Sequence, residues 1–361
     1  MTVYPKVLAK QQRVGLLQRS KGTNHWAAAA DSAVSAAFKE LHWIDVGTPI
    51  VDDGVVSEEI NALSANGIHQ ESERRFHDQY AGLIKVPFSG IADKSTLSMF
   101  LVSATQVCSE AVGTPFKKIF TSIGLTTVPN FAQNEGYLFD MTIVNPASAD
   151  DGILLKRGII DSLTISVNFR GKGQARLFKI SGTLVFNEIA YRQTIVVANW
   201  TNTTAGQNFL NKTDAWVMSD TGGETMEIGG VDYSGEYLHD LQLVINNAVE
   251  GDNFGTSGIA GQYIIKPTYS GTINFWHTSV TEALIDATQQ NDVVKVKLTN
   301  DASDAYTDGK FHIYSATGYA TKSQSVPDGD YLKMQIQFML QSTAAATPLT
   351  ITYTDTIDYG Y

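Results

Sequence analysis

The sequence contains two pairs of neighbouring histidine and aspartate residues, whose side chains could do acid–base chemistry. They are His77 with Asp78 and His239 with Asp240. Neighbouring residues on a β-strand point to opposite faces, so the sequence predicts that neither pair meets as a catalytic dyad. The sequence also lacks a glycine-rich phosphate loop, a zinc-ligand spacing and a nucleophile elbow. We therefore predict that the protein is not an enzyme and uses no cofactor.

Four acidic clusters, each beside a glycine, raise the question of calcium binding. They are Asp52-Asp53, Asp150-Asp151, Glu250 with Asp252, and Asp328 with Asp330. None has the alternating ligand spacing of a known calcium loop. Asp and Gly are common turn residues, which accounts for these clusters without a metal. No metal site is predicted.

The single cysteine, Cys108, excludes an intrachain disulfide. Its place at the end of a predicted helix favours a buried, unreactive thiol. No apolar run reaches the roughly 18–20 residues that a membrane-spanning helix needs. The N-terminal segment is basic but has no apolar core, unlike a secretory signal. We expect synthesis in a cytoplasm and no membrane partner.

Composition and charge limit the classes of partner. The chain has 361 residues, 43% hydrophobic and 17% charged, with a net charge of −11. Such an acidic chain is unsuited to non-specific binding of nucleic acid over its whole surface. The segment 1–21 differs, because its charged residues are all basic: Lys6, Lys10, Arg13, Arg19 and Lys21. The length predicts two domains.

The chain divides into four predicted regions. Residues 1–44 predict a polar, basic arm and then a helix from about Trp26 to His42, capped by Asn24. Residues 45–190 predict a first β-sandwich module, and residues 236–361 a second one. The segment 191–235 is rich in Thr, Asn and Gly and predicts a connector with some strand content.

Within the modules, alternating apolar and polar residues predict the strands. The segments 163–169 and 178–186 predict a hairpin with one apolar face. A helix is predicted from Asp93 or Ser95 to about Cys108, and a second helix from Ser279 to Gln289. The predicted fold class is mainly β: two tandem antiparallel β-sandwich modules, each with a flanking α-helix, plus an N-terminal arm and helix.

Four ordered matches between the two halves indicate an internal duplication. The hexapeptide KVPFSG at 85–90 matches KPTYSG at 266–271, and the tripeptide ATQ recurs at 104–106 and 287–289. Asn145 then matches Asn300, and Lys179 matches Lys333. A chain made of two similar modules is suited to a symmetric assembly.

With these features the chain resembles a tail tube protein of a long-tailed bacteriophage, of the kind that carries two modules. The stretches that carry the resemblance are 83–106 and 158–186, with counterparts at 262–289 and 309–340. It implies a virion structural protein whose subunits close into rings. The rings stack into a hollow tube through which DNA leaves the capsid. Three chains would give a trimeric ring with pseudo-sixfold symmetry; a hexameric ring is the alternative.

The resemblance also implies the partners and the location. The partners would be further copies of this chain, tape measure and tail terminator proteins, and DNA in transit, bound without sequence specificity. The protein would reside in the virion tail. Two other functions stay open: a receptor- or carbohydrate-binding double sandwich of a virion surface, and a capsid or decoration protein. The binding alternative would use exposed aromatic residues, for which the candidates are Trp200, Trp216, Trp276 and Tyr237.

A long loop predicted over 109–136 is the candidate contact between subunits. It holds apolar and basic residues without a regular pattern: Phe116, Lys117, Lys118, Phe120 and Phe131. Leaving a large apolar side chain in water costs about 1.5–3 kcal/mol, and a neighbouring subunit would remove that cost. Arg13 of the arm is a further candidate contact. The alternative is a loop that folds back on its own sandwich.

Overall fold

A computed structural model describes most of the chain. The described residues are 12–19, 36–51, 55–59, 75–79, 83–91, 94–111, 116–122, 138–145, 148–169, 176–201, 225–234, 237–252, 261–264, 267–299, 310–341 and 347–355. Within them the protein is mainly β and its strand pairs are antiparallel, as the composition and the alternation predicted.

The described residues of the first half form thirteen strands and an α-helix. Their bounds are β1 Arg13–Arg19, β2 Lys39–Leu41, β3 Ile44–Val46, β4 Ile50–Val51, β5 Val55–Glu59, β6 Arg75–Gln79, β7 Ile84–Ile91, α1 Lys94–Thr105, β8 Val107–Ala111, β9 Phe116–Thr121, β10 Leu138–Asn145, β11 Ser148–Asn168, β12 Phe178–Phe186 and β13 Glu188–Gln193. A 3₁₀ helix follows at Val197–Asn199.

The second half contains ten described strands. Their bounds are β14 Thr225–Ile228, β15 Val231–Ser234, β16 Leu238–Asn246, β17 Val249–Asp252, β18 Gly261–Ile264, β19 Thr268–Trp276, β20 Val293–Thr299, β21 Lys310–Asp328, β22 Tyr331–Leu340 and β23 Thr350–Asp355. A 3₁₀ helix, Glu282–Asp286, lies between β19 and β20.

Each half has two layers that share one long strand. In the first half, β3, β4, β7, β12 and the second part of β11 pair in one layer. The other layer contains β2, β1, β10, the first part of β11, and β13. β11 passes between the layers at a β-bulge near Ile160. Such a bulge bends a strand, which lets it pair in both layers.

The second half repeats this order of pairing. β16, β19, β22 and the second part of β21 form one layer. β15, β14, β20, the first part of β21, and β23 form the other. β21 also has a bulge, after Ala320, where it changes layer. This recurrence supports the hypothesis of a duplication.

The register of the pairing agrees with one of the four sequence matches. Lys179 and Lys333 take corresponding places in β12 and β22, whereas Asn300 lies outside the described residues. Lys179 faces Ile91 in β7, but Lys333 faces Trp276 in β19. The KVPFSG match is therefore displaced by four residues. A shift by an even number keeps each side chain on its face, so the alternation cannot detect it.

Two strand pairs join the halves. β11 pairs with β16 from Ser162↔Asn246 to Asn168↔Asp240. β9 pairs with β23, the last described strand. We call the layer that contains β12 and the layer that contains β22 the inner layers, and the remaining two the outer layers. The β11–β16 pair joins the two inner layers into one sheet of eight strand positions: β3–β4, β7, β12, β11, β16, β19, β22 and β21.

Helix α1 was predicted as a flanking helix with one buried face, but it is buried on every side. The residues from Thr96 to Thr105 are all buried, and α1 packs against β8, β9 and β11. Its polar side chains are satisfied internally. Ser103 Oγ accepts a hydrogen bond from the Ile160 amide at 3.1 Å, and Asn247 Nδ2 donates to the Ala104 carbonyl at 3.0 Å.

The predicted N-terminal arm and helix are wrong where the structure describes them. Arg13–Arg19 is strand β1, which pairs with β10 and β2. Lys39–Leu41 is strand β2, within the region predicted to be helical. The buried residues Val14, Leu16 and Phe38 explain the difference, because burial in the sandwich outweighs local helix propensity. The rest of the predicted helix, before residue 36, lies outside the described residues.

Two further predictions of local structure need correction. The segment predicted as a loop over 109–136 contains part of the hairpin β8–β9, and its residues 123–136 lie outside the described part. The second helix is the short 3₁₀ helix Glu282–Asp286 rather than an α-helix. The predicted connector was expected to carry some strand content, and it contains β14, which pairs with β20 of the second half.

A buried ion pair ties β1 to β10. Arg19 Nε lies 3.6 Å from Asp140 Oδ2, and the two side chains are 3% and 0% exposed. Asp140 Oδ1 also accepts a hydrogen bond from the Arg157 amide at 2.8 Å. Because both charges are removed from water, each depends on the other for compensation.

We predict that Arg19→Leu lowers the free energy of unfolding by about 3–5 kcal/mol, because it leaves a buried carboxylate without its cation. Urea denaturation followed by circular dichroism measures the change. Lys295→Met is the control, since Lys295 pairs with Glu227 at the surface. An equal shift in both variants would contradict a special role for the buried pair.

Candidate assembly interface

The eight-stranded sheet has one face made mostly of polar side chains. Directly opposed residues on antiparallel strands point to the same side, so each row crosses several strands. One row reads Lys179, Ser166, Gln242, Thr272, Gln337 and Lys322. The intervening residues of the strands, such as Leu163, Ile165 and Leu243, are buried on the other face. This separation of polar and apolar faces was predicted from the alternation.

A ladder of hydrogen bonds runs across this polar face. Asn274 Nδ2 donates to Asp240 Oδ1 at 2.7 Å. Gln335 Nε2 donates to Asn274 Oδ1 at 3.3 Å, and Gln324 Nε2 donates to Gln335 Oε1 at 2.8 Å. The four residues belong to β16, β19, β22 and β21 in turn. The sequence predicted the polar positions but not this ladder, because the register between strands was unknown.

One end of the same face carries a cluster around His239. His239 Nδ1 is hydrogen-bonded to Asp240 Oδ2, although neighbours on a regular strand would diverge. A register shift in the β16–β19 pairing at this point explains why the expected divergence of these two side chains is wrong. The His239 ring packs edge-on against Trp276, with centroids 4.5 Å apart. His77 and Asp78 lie in β6, where only the backbone is described.

Lys333 links the two carboxylates of the cluster. Its Nζ lies 2.7 Å from Asp328 Oδ2 and 3.9 Å from Asp240 Oδ2. The hydrogen bond from Lys333 lowers the pKa of Asp328 below its ordinary value, and the charge of His239 contributes in the same direction. Within the described residues, the hydrogen bonds of the cluster join its members to one another and to Asn274, and they include no serine, threonine or cysteine nucleophile.

Where the structure describes them, the residues predicted to contact a neighbouring subunit lie apart from this face. Phe120 is fully buried in its own core, opposite Cys108 in β8 and Ile351 in β23. This position agrees with the alternative that the segment folds back on its own sandwich. Lys117 is exposed on β9. Phe116 and Lys118 also lie in β9, but their side chains are outside the described part, as is all of Phe131.

Arg13 is engaged within its own chain. Its Nε and Nη2 donate to the two carboxylate oxygens of Glu40 at 2.6 and 2.7 Å. This hydrogen bond raises the pKa of Arg13 above its ordinary value. The guanidinium also lies 5.4 Å from the ring centre of Trp200, which is buried. Arg13 thus clamps β1 to β2.

The described aromatic residues among those proposed for a carbohydrate-binding surface are not gathered on one exposed patch. Trp200 is buried, and Trp276 is half-buried beside His239. Tyr237 packs against the main core, and Trp216 lies outside the described residues.

Both ends of the eight-stranded sheet are edges. The outer side of β21 from Lys322 to Asp328 pairs with no strand of the described residues, and neither does the outer side of β3 and β4. Ile50 of β4 is 61% exposed. Exposed edges present backbone donors and acceptors that another strand can bind.

Other kinds of site find no support in the described ranges. They contain no group of three or more His, Cys, Asp or Glu side chains that could hold a metal ion. The helices among them are too short or too polar to cross a lipid bilayer. In comparisons with known proteins, no family model matches this chain and no curated protein matches it.

We predict that Lys333→Met raises the pKa of Asp328 back toward its ordinary value, because it removes the hydrogen-bond donor that lowers it. Carbon NMR of the labelled carboxyl groups across acidic pH measures the shift. Lys179→Met is the control, since Lys179 takes the corresponding place in the first half. An unchanged Asp328 titration in Lys333→Met would contradict the assignment.

We also predict that Phe120→Ala lowers the free energy of unfolding by about 3–5 kcal/mol, since it opens a cavity in the core. Lys117→Ala, three residues earlier in β9, should change it by less than about 0.5 kcal/mol. Chemical denaturation compares the two. A folded Phe120→Ala protein of unchanged stability that fails to self-associate would restore the interface role of this side chain.

Proposed function

We propose that the protein is a virion structural protein that closes into rings, and that the stacked rings form a phage tail tube for DNA ejection. The observation that carries the proposal is the eight-stranded sheet, which has a polar face and a strand edge at each end. The resemblance noted from the sequence points the same way. The recurring pairing order of the two halves supports a ring with two module positions per chain.

The two edges favour a closed head-to-tail assembly. They come from different strands, β21 at one end and β3–β4 at the other, so the contact between copies is heterologous. Heterologous contacts form rings when the rotation closes and filaments when it does not. A ring leaves no edge exposed, which removes the aggregation hazard of the isolated subunit.

The polar face has the chemistry of a conduit. Among the described residues it carries four lysines and three aspartates: Lys85, Lys179, Lys322, Lys333, Asp45, Asp240 and Asp328. Its remaining positions are mainly Ser, Thr, Asn and Gln. Since each cation that contacts a phosphate adds affinity and salt dependence, a face near charge balance lets DNA pass without being held.

Cryo-electron microscopy of the purified protein tests the assembly. We expect hollow rings or tubes with threefold symmetry and six module positions in the wall. Sixfold symmetry would mean six chains in each ring and would overturn the trimeric form. Discrete monomers or trimers without a channel would favour the surface-binding alternative, and shells or lattices would favour a capsid or decoration protein.

The lining is tested by adding charge to it. In assembled tubes, Ser166→Lys with Thr272→Lys should produce DNA retention that falls steeply as salt increases, because each chain then adds two cations to the channel. Val231→Lys is the control, since Val231 is 53% exposed on β15 of the other layer. Equal DNA retention by the control and the double variant would contradict the assignment of the polar face to the channel.

A further inference from the structure

The junction inside the chain gives a template for the junction between chains. β11 has β12 on one side and β16 on the other, from Ser162 to Asn168. β21 has β22 on one side over the corresponding stretch, from Lys322 to Asp328, and no described strand on the other. The strands that correspond to β16 are β3 and β4 of the first half, which pair with β7 on one side only.

We infer that the outer edge of β21 pairs antiparallel with β3–β4 of a second copy, in the register of the β11–β16 junction. The inference rests on the proposed self-assembly and specifies its contact. The occupant of each edge is therefore another copy of this chain. The junction inside the chain and the junction between chains would be equivalent, and every module boundary in the ring would be built in the same way.

The register follows from the recurring pairs. In the inner junction Thr164 lies opposite Val244. Thr164 also lies opposite Ser181 in β12, and Gln324 takes the same place opposite Gln335 in β22. Gln324 is therefore the counterpart of Thr164.

The partner residue is found in the same way. Val244 lies opposite Ser270 in β19, and Ile50 lies opposite Lys85 in β7. β7 and β19 correspond, with Ile91 aligned to Trp276 by the two lysines that face them. Lys85 is then the counterpart of Ser270, so Ile50 is the counterpart of Val244. The inferred contact places Ile50 of one copy opposite Gln324 of the next.

Side chains at the edge fit this contact. Ile50 is 61% exposed in the isolated subunit, whereas Val244 is half-buried because β11 covers it. Gln324 ends the ladder that begins at Asp240, so the next strand would continue the row. Burying Ile50 removes exposed apolar surface, and pairing the edge satisfies its backbone groups.

The other face of the edge explains how the subunit stays separate before assembly. β11 has Leu163, Ile165 and Val167 on its core side, all buried. The corresponding residues of β21 are Ser323, Ser325 and Pro327. Polar residues and proline on an edge strand weaken unplanned pairing. The junction between chains is thus inferred to be weaker than the one within the chain.

Disulfide trapping tests the register. Directly opposed antiparallel residues have Cα atoms about 4.5–5.5 Å apart, which a disulfide can span. In a Cys108→Ala background, Ile50→Cys with Gln324→Cys should form a disulfide between chains under mild oxidation. On a non-reducing gel most of the protein should move to two and three times the chain mass, and reductant should reverse this.

Two matched variants control the trapping. Thr164→Cys with Val244→Cys reports the pair inside the chain, so it should form a disulfide without a change of mass. Ile50→Cys with Ser323→Cys should give little cross-linking, because Ser323 points to the opposite face and its Oγ donates to the Ile285 carbonyl at 2.6 Å.

The outcomes separate the inference from the proposed function. Rings or tubes without cross-linking of Ile50→Cys with Gln324→Cys, while the internal control is linked, would overturn the register and leave the tube proposal standing. Cross-linking at chain mass only would assign the edge to the same chain and overturn the inference. Protein that stays monomeric in the microscope and on the gel would overturn both.

Discussion

The structure depends on two long strands that must satisfy their backbone hydrogen bonds in two layers at once. β11 and β21 each pair with outer strands in their first part and inner strands in their second. A glycine lies just before the change of layer in both. A Cβ added to Gly158 would lie 2.2 Å from the Phe186 ring, and one added to Gly318 would lie 2.6 Å from the Val294 carbonyl oxygen and 3.0 Å from Leu340. The bend therefore brings the backbone against the neighbouring strands, and a larger residue would force them apart.

The edges of the eight-stranded sheet follow from the same arrangement. The second part of β11 lies between β12 and β16, so it is paired on both sides inside the sheet. The second part of β21 pairs only with β22 among the described strands, so it lies at the edge of the sheet. The sequences of the two strands reflect this difference. β11, which is paired on both sides, has Leu163 and Ile165, and β21, at the edge, has Ser323 and Ser325. Corresponding positions of the two strands thus have different roles. Apolar residues in β11 stabilise the pairing within the chain, and polar residues in β21 weaken pairing with other chains.

Much of the fold could be predicted from the sequence, because the hairpin β11–β12, the helix α1 and the polar face are encoded by local periodicity. What failed depended on partners distant in the chain. The segment Arg13–Arg19 looked like a basic arm, yet Val14 and Leu16 are buried by β10, and Arg19 is neutralised by Asp140. The hairpin around Phe120 was missed because it is completed by β23. For the candidate site, polar alternation predicted a wet face, but no local signal marks the bulge that turns His239 toward Asp240.

The burial of α1 has a consequence for the order of folding on the ribosome. One side of the helix is covered by β8 and β9, and β9 pairs with β23, so the surroundings of Phe120 are complete only once residues 350–355 have been made. Contacts between residues so far apart close slowly, because a long loop must first lose its freedom. The first half therefore cannot finish its core as an independent nascent domain. It must remain incomplete, with apolar surface open to chaperones, until the C-terminal strand arrives.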